Sequence, residues 1–149
     1  MAVSAEDRLA ISELIALHGH IMDSGELDRL EDLFSPEVTY DLGDFERGTL
    51  QGIDAIRNAA IAMGDRSPVG HHVMNIILTE VDSQVVSVRS KGIGIQADGS
   101  SGSVVYDDIV KRTTAGWRIT HRKVSARRAP LSAALILRGL IDQEGGSPR

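Results

Sequence analysis

Pro68-Val69-Gly70-His71-His72-Val73-Met74-Asn75-Ile76-Ile77-Leu78 is the stretch on which the reading of this chain turns. It opens on turn formers and runs at once into β-branched and apolar residues, which is how a strand begins. Side chains in a strand alternate between two faces. His71, Val73, Asn75 and Ile77 therefore share one face, and His72, Met74, Ile76 and Leu78 the other. A row of imidazole and amide among small apolar groups suits the wall of a pocket, whereas Met, Ile and Leu suit plain packing. His71 is the stronger functional candidate of the pair, with His72 the alternative should the register slip by one.

Working outward from this strand, three more segments of β character follow. The spacing predicts four long strands over 71–81, 85–97, 103–112 and 117–126. Their connections are short and rich in Asp, Ser, Gly and Thr, so the strands form an antiparallel meander. Gly92-Ile93-Gly94 lies inside a strand and lacks the helix that a phosphate-binding turn requires. Beyond Pro130 an apolar segment, 132–141, predicts a last helix, and 144–149 a frayed tail.

Upstream, residues 5–22 read as a helix. Ser4 and Asp7 stand as a cap pair, and Ile11, Leu14, Ile15, His18, Ile21 and Met22 fall on one stripe. His18 lies inside that stripe and His20 on the solvated side. The helix should stop near Asp23-Ser24-Gly25. A second helix over 26–34 carries Leu27, Leu30 and Leu33 and is broken by Ser35-Pro36. A short strand over 38–42 pairs with 49–51 as a hairpin, and a third helix ends near residue 63. Helices first and an antiparallel sheet after them make an α+β layout, and a sheet folded over helices can enclose a cavity.

The totals set bounds on function. A chain of 149 residues with 42% hydrophobic and 25% charged residues suits one globular domain. A net charge of −5 argues against nucleic acid as a partner, and the absence of cysteine excludes disulfides, thiolate metal sites and a Cys nucleophile. Neither a membrane-spanning run nor a basic-then-apolar leader is visible, so a cytoplasmic protein that meets no membrane is expected.

Histidine and carboxylate carry what chemistry remains. Asp23, at the end of the first helix, and His71, at the start of the first long strand, could meet as an oriented base; the bland role for Asp23 is an N-cap of the second helix. His18 is either a hydrogen-bonded core histidine or a second polar group of the site. Tyr106 and Asp108 share a strand face and could offer a hydroxyl and a second carboxylate, or be respectively packed and in part solvated. His121, with Arg118, Arg122 and Lys123 around it, reads as a surface residue. The spacing of His18, Asp23 and His71 matches no standard metal-ligand motif, and no metal or nucleotide cofactor is expected.

The order helix, Asp-Ser-Gly-Glu-Leu-Asp-Arg-Leu-Glu-Asp-Leu-Phe (23–34), strand, helix, His-His-Val-Met-Asn (71–75), Tyr-Asp-Asp-Ile-Val-Lys-Arg (106–112) and Gly-Trp-Arg-Ile (116–119) resembles the SnoaL-like branch of the nuclear transport factor 2-like superfamily, over about residues 5–131. The resemblance implies a cone-like α+β barrel with an apolar cavity, assembled as a homodimer or homotrimer. It implies an enzyme that needs no cofactor, a lyase, dehydratase, cyclase or isomerase acting on a small apolar substrate of polyketide, steroid or terpenoid kind. The alternative is a binding or assembly module that keeps the cavity without turnover. The lyases' catalytic Asp matches Asp23, and their His matches His71 when Asn75 is taken as the anchor. His18 matches the position five before that Asp, and Tyr106 matches the Tyr in the strand before the Gly-Trp motif. The second catalytic His and the Asn of scytalone dehydratase have no counterparts in the segments 90–94 and 105–107.

Overall fold

The structure, a computed structural model, describes residues 2–132 and 136–140. Helix α1, Ala5–Ser24, begins on a reciprocal capping box: the Asp7 amide donates to the Ser4 hydroxyl at 3.0 Å, and the Ser4 amide to the Asp7 carboxylate at 3.2 Å. It ends at Gly25, whose left-handed backbone (φ 67°) is strained for any residue with a Cβ, and the Glu26 amide reaches back to the Ile21 carbonyl at 3.0 Å. Ile11, Leu14, Ile15, His18 and Ile21 are buried along its apolar stripe.

The second helix expected over 26–34 is instead a 3-10 stretch, Leu27–Asp32, and Phe34 already belongs to strand β1, Phe34–Asp41. Leu27, Leu30 and Leu33 are three apart, a spacing that a 3-10 turn satisfies as well as an α-helix does. Ser35 and Pro36 therefore lie in the strand rather than breaking a helix. Pro36 falls within the irregularity between Phe34 and Thr39, where the ladder to the neighbouring strand is interrupted and needs no amide from it.

Strand β2, Thr49–Gln51, pairs with β1 as the expected hairpin, and helix α2, Ile53–Met63, follows. Strands β3, Gly70–Glu80, β4, Val85–Ile95, β5, Ser101–Thr113, and β6, Gly116–Arg127, form the antiparallel meander. The sheet runs β2-β1-β6-β5-β4-β3, is curved and does not close; β1 joins the meander through a parallel pairing with β6. Helix α1 lies on β3 and β6. Between helix and sheet sits a core that includes Ile11, Ile15, Ile21, Phe34, Val86, Val88, Val110 and Ile119.

Strict alternation along β3 fails at one residue. Gly70 to Met74 pair with Ile95 to Lys91, and pairing resumes at Ile77 with Arg89, so β3 holds one extra residue there. Asn75 sits in this bulge with φ 55°, a left-handed conformation that Asn tolerates better than most side chains. The bulge inverts the parity beyond it. Ile76 and Leu78, not Asn75 and Ile77, join His71 and Val73 toward the core, while Ile77 is left 63% exposed.

Residues 136–140 are helical, and Ile136, Leu137 and Leu140 are exposed. The remainder of the helix expected over 132–141, with Ala133 and Leu135, and the tail from 144 lie outside the described residues, except that Ser132 precedes it without helical structure.

Candidate active site

Asp23 lies in the last turn of α1 and His71 is the second residue of β3, and a glycine brings the two together. A Cβ on Gly19 would stand 2.2 Å from the His71 carbonyl oxygen, so only glycine lets the helix lie this close to the strand. Asp23 then grips His71 twice. Both carboxylate oxygens lie 3.0 Å from the His71 backbone nitrogen, and Oδ1 lies 2.6 Å from the ring Nδ1. A carboxylate only accepts, so Nδ1 carries the hydrogen of this contact and Nε2 is left with the lone pair. The pair is sheltered, with the His71 side chain 18% and that of Asp23 28% exposed. The N-cap role open to Asp23 goes unfilled, since Glu26 precedes the 3-10 stretch and no side chain caps it. His72 points to the outer face and is exposed.

His71, His18 and Tyr106 line one cavity of about 550 Å³, together with Met22, Tyr40 and Val124, and Asp23 reaches it only through His71. The His18 ring meets His71 edge-on and Tyr106 obliquely, each at a centroid distance of 5.7 Å. Burial holds His18 well below the ordinary histidine value, and Arg122 and then His71 push the same way. The ring is therefore neutral at neutral pH, and its Nδ1 has no hydrogen-bond partner among the described residues. Burial raises the Tyr106 hydroxyl far above the ordinary phenol value, with Tyr40 adding to the effect, so it stays a donor. Its ring occupies space that only Gly92 leaves free, since a Cβ there would stand 2.5 Å from Tyr106 Cε2.

Asp108 is not a free second carboxylate, nor is it solvated. Arg122 donates to it through Nε and Nη2, both at 2.7 Å, and both side chains are fully buried. Burial alone would favour the neutral guanidine, but the charge of Asp108 and its hydrogen bonds outweigh this and hold Arg122 protonated. The guanidinium lies 4.4 Å from the Tyr106 ring centroid and 5.9 Å from that of Tyr40. Tyr40, whose hydroxyl burial also raises, is a cavity residue that sequence reasoning missed. Arg122 was missed as well, being read as part of a surface cluster, while its neighbour His121 is exposed as expected and hydrogen-bonds Thr39. No group of three or more His, Cys, Asp or Glu side chains among the described residues is arranged to hold a metal ion. No helix among them is long and apolar enough to cross a membrane.

The sequence matches the SnoaL-like domain family over residues 3–123. This chain belongs to the SnoaL-like family. An NTF2-like protein with a cystatin-like fold from Novosphingobium aromaticivorans is 27% identical to it, with a TM-score of 0.69 over 89% of this chain and 88% of the other. A proposed scytalone dehydratase from the same organism shares 19% identity, with a TM-score of 0.68 over 87% and 95%. A hexachlorocyclohexane dehydrochlorinase, LinA Type2, shares 20%, with a TM-score of 0.66 over 87% and 95%. At such identities the last two establish likeness of fold. No curated protein matches the sequence. The sheet and helices of this chain are those of the nuclear transport factor 2-like superfamily.

Proposed function

We propose that this SnoaL-like protein is a cofactor-independent lyase, of dehydratase or related elimination type, or a cyclase or isomerase that begins with the same proton transfer. Its substrate is small and largely apolar, of polyketide, steroid or terpenoid kind, and it works in the cytoplasm as a homodimer or homotrimer. One observation carries the reading: the 2.6 Å contact between His71 Nδ1 and Asp23 Oδ1 at the wall of a cavity. With Nδ1–H committed to Asp23, Nε2 is free to take a proton from a substrate carbon. The electrons of that C–H bond form the new double bond and expel a group from the adjacent carbon. Tyr106, held protonated, donates to the departing group; neutral His18 orients it or the substrate. Asp23 stabilises the imidazolium that forms. A positioned base of this kind contributes about 10²- to 10⁴-fold in rate.

The test is incubation of the protein in D₂O with a panel of cyclic β-hydroxyketones and β-halogenated ketones, followed by NMR. Deuterium at the carbon next to the carbonyl, or the unsaturated product, is expected with wild type and not with His71→Ala. Panel members that bind in the cavity but exchange no faster than in buffer would overturn the enzyme reading in favour of a binding module. Sedimentation showing a monomer at micromolar concentration would overturn the assembly.

A further inference from the structure

The cavity changes character along its length. Its inner wall is made of buried groups, His18, Tyr106 and Val124, whereas Arg47, Arg127 and Arg128 line it from exposed positions and so mark its mouth. No Asp or Glu lines it, in a chain whose net charge is −5. Arg8, Arg29, Arg57, Arg89, Arg112 and Arg122 are each paired with a carboxylate. The three at the mouth, like Arg66 and Arg118 elsewhere, have no ion pair among the described residues. Two of the three are nevertheless placed: Arg128 lies 5.4 Å from the Phe45 ring centroid and donates to the Asp44 carbonyl at 2.9 Å, and Arg47 donates to the sulfur of Met63 at 2.8 Å. These contacts hold side chains without neutralising charge. The nearby Asp44 carboxylate is engaged by the Ala126 amide at 3.0 Å. Outside the mouth, a second depression of about 480 Å³ shares Gly102, Ser103, Arg127 and Arg128 with the cavity.

We propose that the natural substrate is an apolar molecule bearing one anionic group, a carboxylate or a phosphate, which Arg47, Arg127 and Arg128 bind at the mouth while the apolar body enters toward His71. This deepens the reading of the cavity as the active site and rests on it. Guanidinium suits both groups because its forked donors match their oxygens. The outer depression gives an anionic group larger than a carboxylate room to lie against Arg127 and Arg128 without entering the apolar interior.

Calorimetry with decanoate, decyl phosphate and 1-decanol tests this at low salt. Both anions should bind about tenfold more tightly than the alcohol, a preference that shrinks as salt is raised. Whichever anion binds more tightly names the group. The double variant Arg127→Gln, Arg128→Gln should lose most of the preference while binding 1-decanol unchanged, which also shows that it is folded. Arg66→Gln, an exposed arginine that does not line the cavity, should behave as wild type. Equal affinity for alcohol and anions, a preference that survives Arg47→Gln, Arg127→Gln and Arg128→Gln together, or no anion binding at millimolar concentration would each overturn the proposal. The outcome separates from that of the dyad. His71→Ala should abolish turnover and keep the anion preference. A wild type with His71-dependent turnover and no preference sinks this proposal alone, and one with the preference and no such turnover sinks the dyad alone.

Discussion

Two buried or sheltered aspartates do opposite work in this molecule, and substitution tells them apart. Asp23 gives one oxygen to the His71 ring and both to its backbone amide. Asp23→Asn keeps the shape and one acceptor, so stability should fall by about 1 kcal/mol. Turnover should fall by about 10²- to 10⁴-fold, because the amide neither fixes the tautomer nor stabilises the imidazolium. Initial rates on any substrate found, beside a melting curve, check both figures. Asp108 instead neutralises Arg122 where both are fully buried. Asp108→Asn leaves a buried cation without its partner and should cost about 3–5 kcal/mol, read by urea unfolding. Replacing the pair together, Asp108→Leu with Arg122→Met, should recover most of that loss. If Asp108→Asn unfolds at the wild-type midpoint, the pair is not what stabilises the sheet beneath Tyr106 and Tyr40.

At the scale of elements, the site depends on how α1 and β3 meet, and each element carries one residue that decides it. Gly19→Ala forces its Cβ into the His71 carbonyl, so the helix must lift from the strand. It should destabilise by about 1–3 kcal/mol and remove turnover with it, as unfolding and rate measurements would show. Asn75 decides the parity of β3. At φ 55° Asn75→Gly should be neutral, whereas Asn75→Val should cost about 1–2 kcal/mol, and equal midpoints for the two would argue against the bulge. These are also the places where the sequence stops being legible. The capping pair, the α1 stripe and all four long strands follow from period and turn chemistry, as does His71 as the inward histidine, because it precedes the bulge. Asn75 and Ile77 were placed on the wrong face because one inserted residue inverts every position after it. Arg122 was hidden differently: with Arg118 and Lys123 beside it, it reads as part of a solvated basic cluster, and alternation does not correct this. The register of β5 against β6 slips between Ile109 and Val110, so alternation counted from Trp117 and Ile119 puts His121 inward and Arg122 outward. The pairing of Asp108 with Arg122 exists only because of this slip, since the register set by the turn would put Asp108 opposite His121. The short 26–34 segment failed differently, since three leucines at a spacing of three do not separate an α-helix from a 3-10 turn.

For the molecule as a whole, the site sets a pH dependence as well as a chemistry. His18 is held neutral by burial, with Arg122 and His71 facing it, and its folded value lies well below the ordinary 6.5. Below that value the unfolded chain binds a proton that the folded chain refuses, so stability falls as pH drops from about 6.5 toward the folded value, and is flat above. His18→Gln removes the titration, and its stability should decline less between pH 7 and pH 5 than that of wild type. Parallel declines would show that His18 is not the buried neutral group described. The central claim concerns the other histidine: Asp23 fixes the His71 ring so that Nε2 is the base. Nitrogen-15 NMR of histidine-labelled protein, taken where the ring is neutral, reads this directly. The expected spectrum shows His71 with a hydrogen on Nδ1 and a bare Nε2, and the pattern is lost in Asp23→Asn. A neutral His71 carrying its hydrogen on Nε2, or one that Asp23→Asn leaves unchanged, would contradict it.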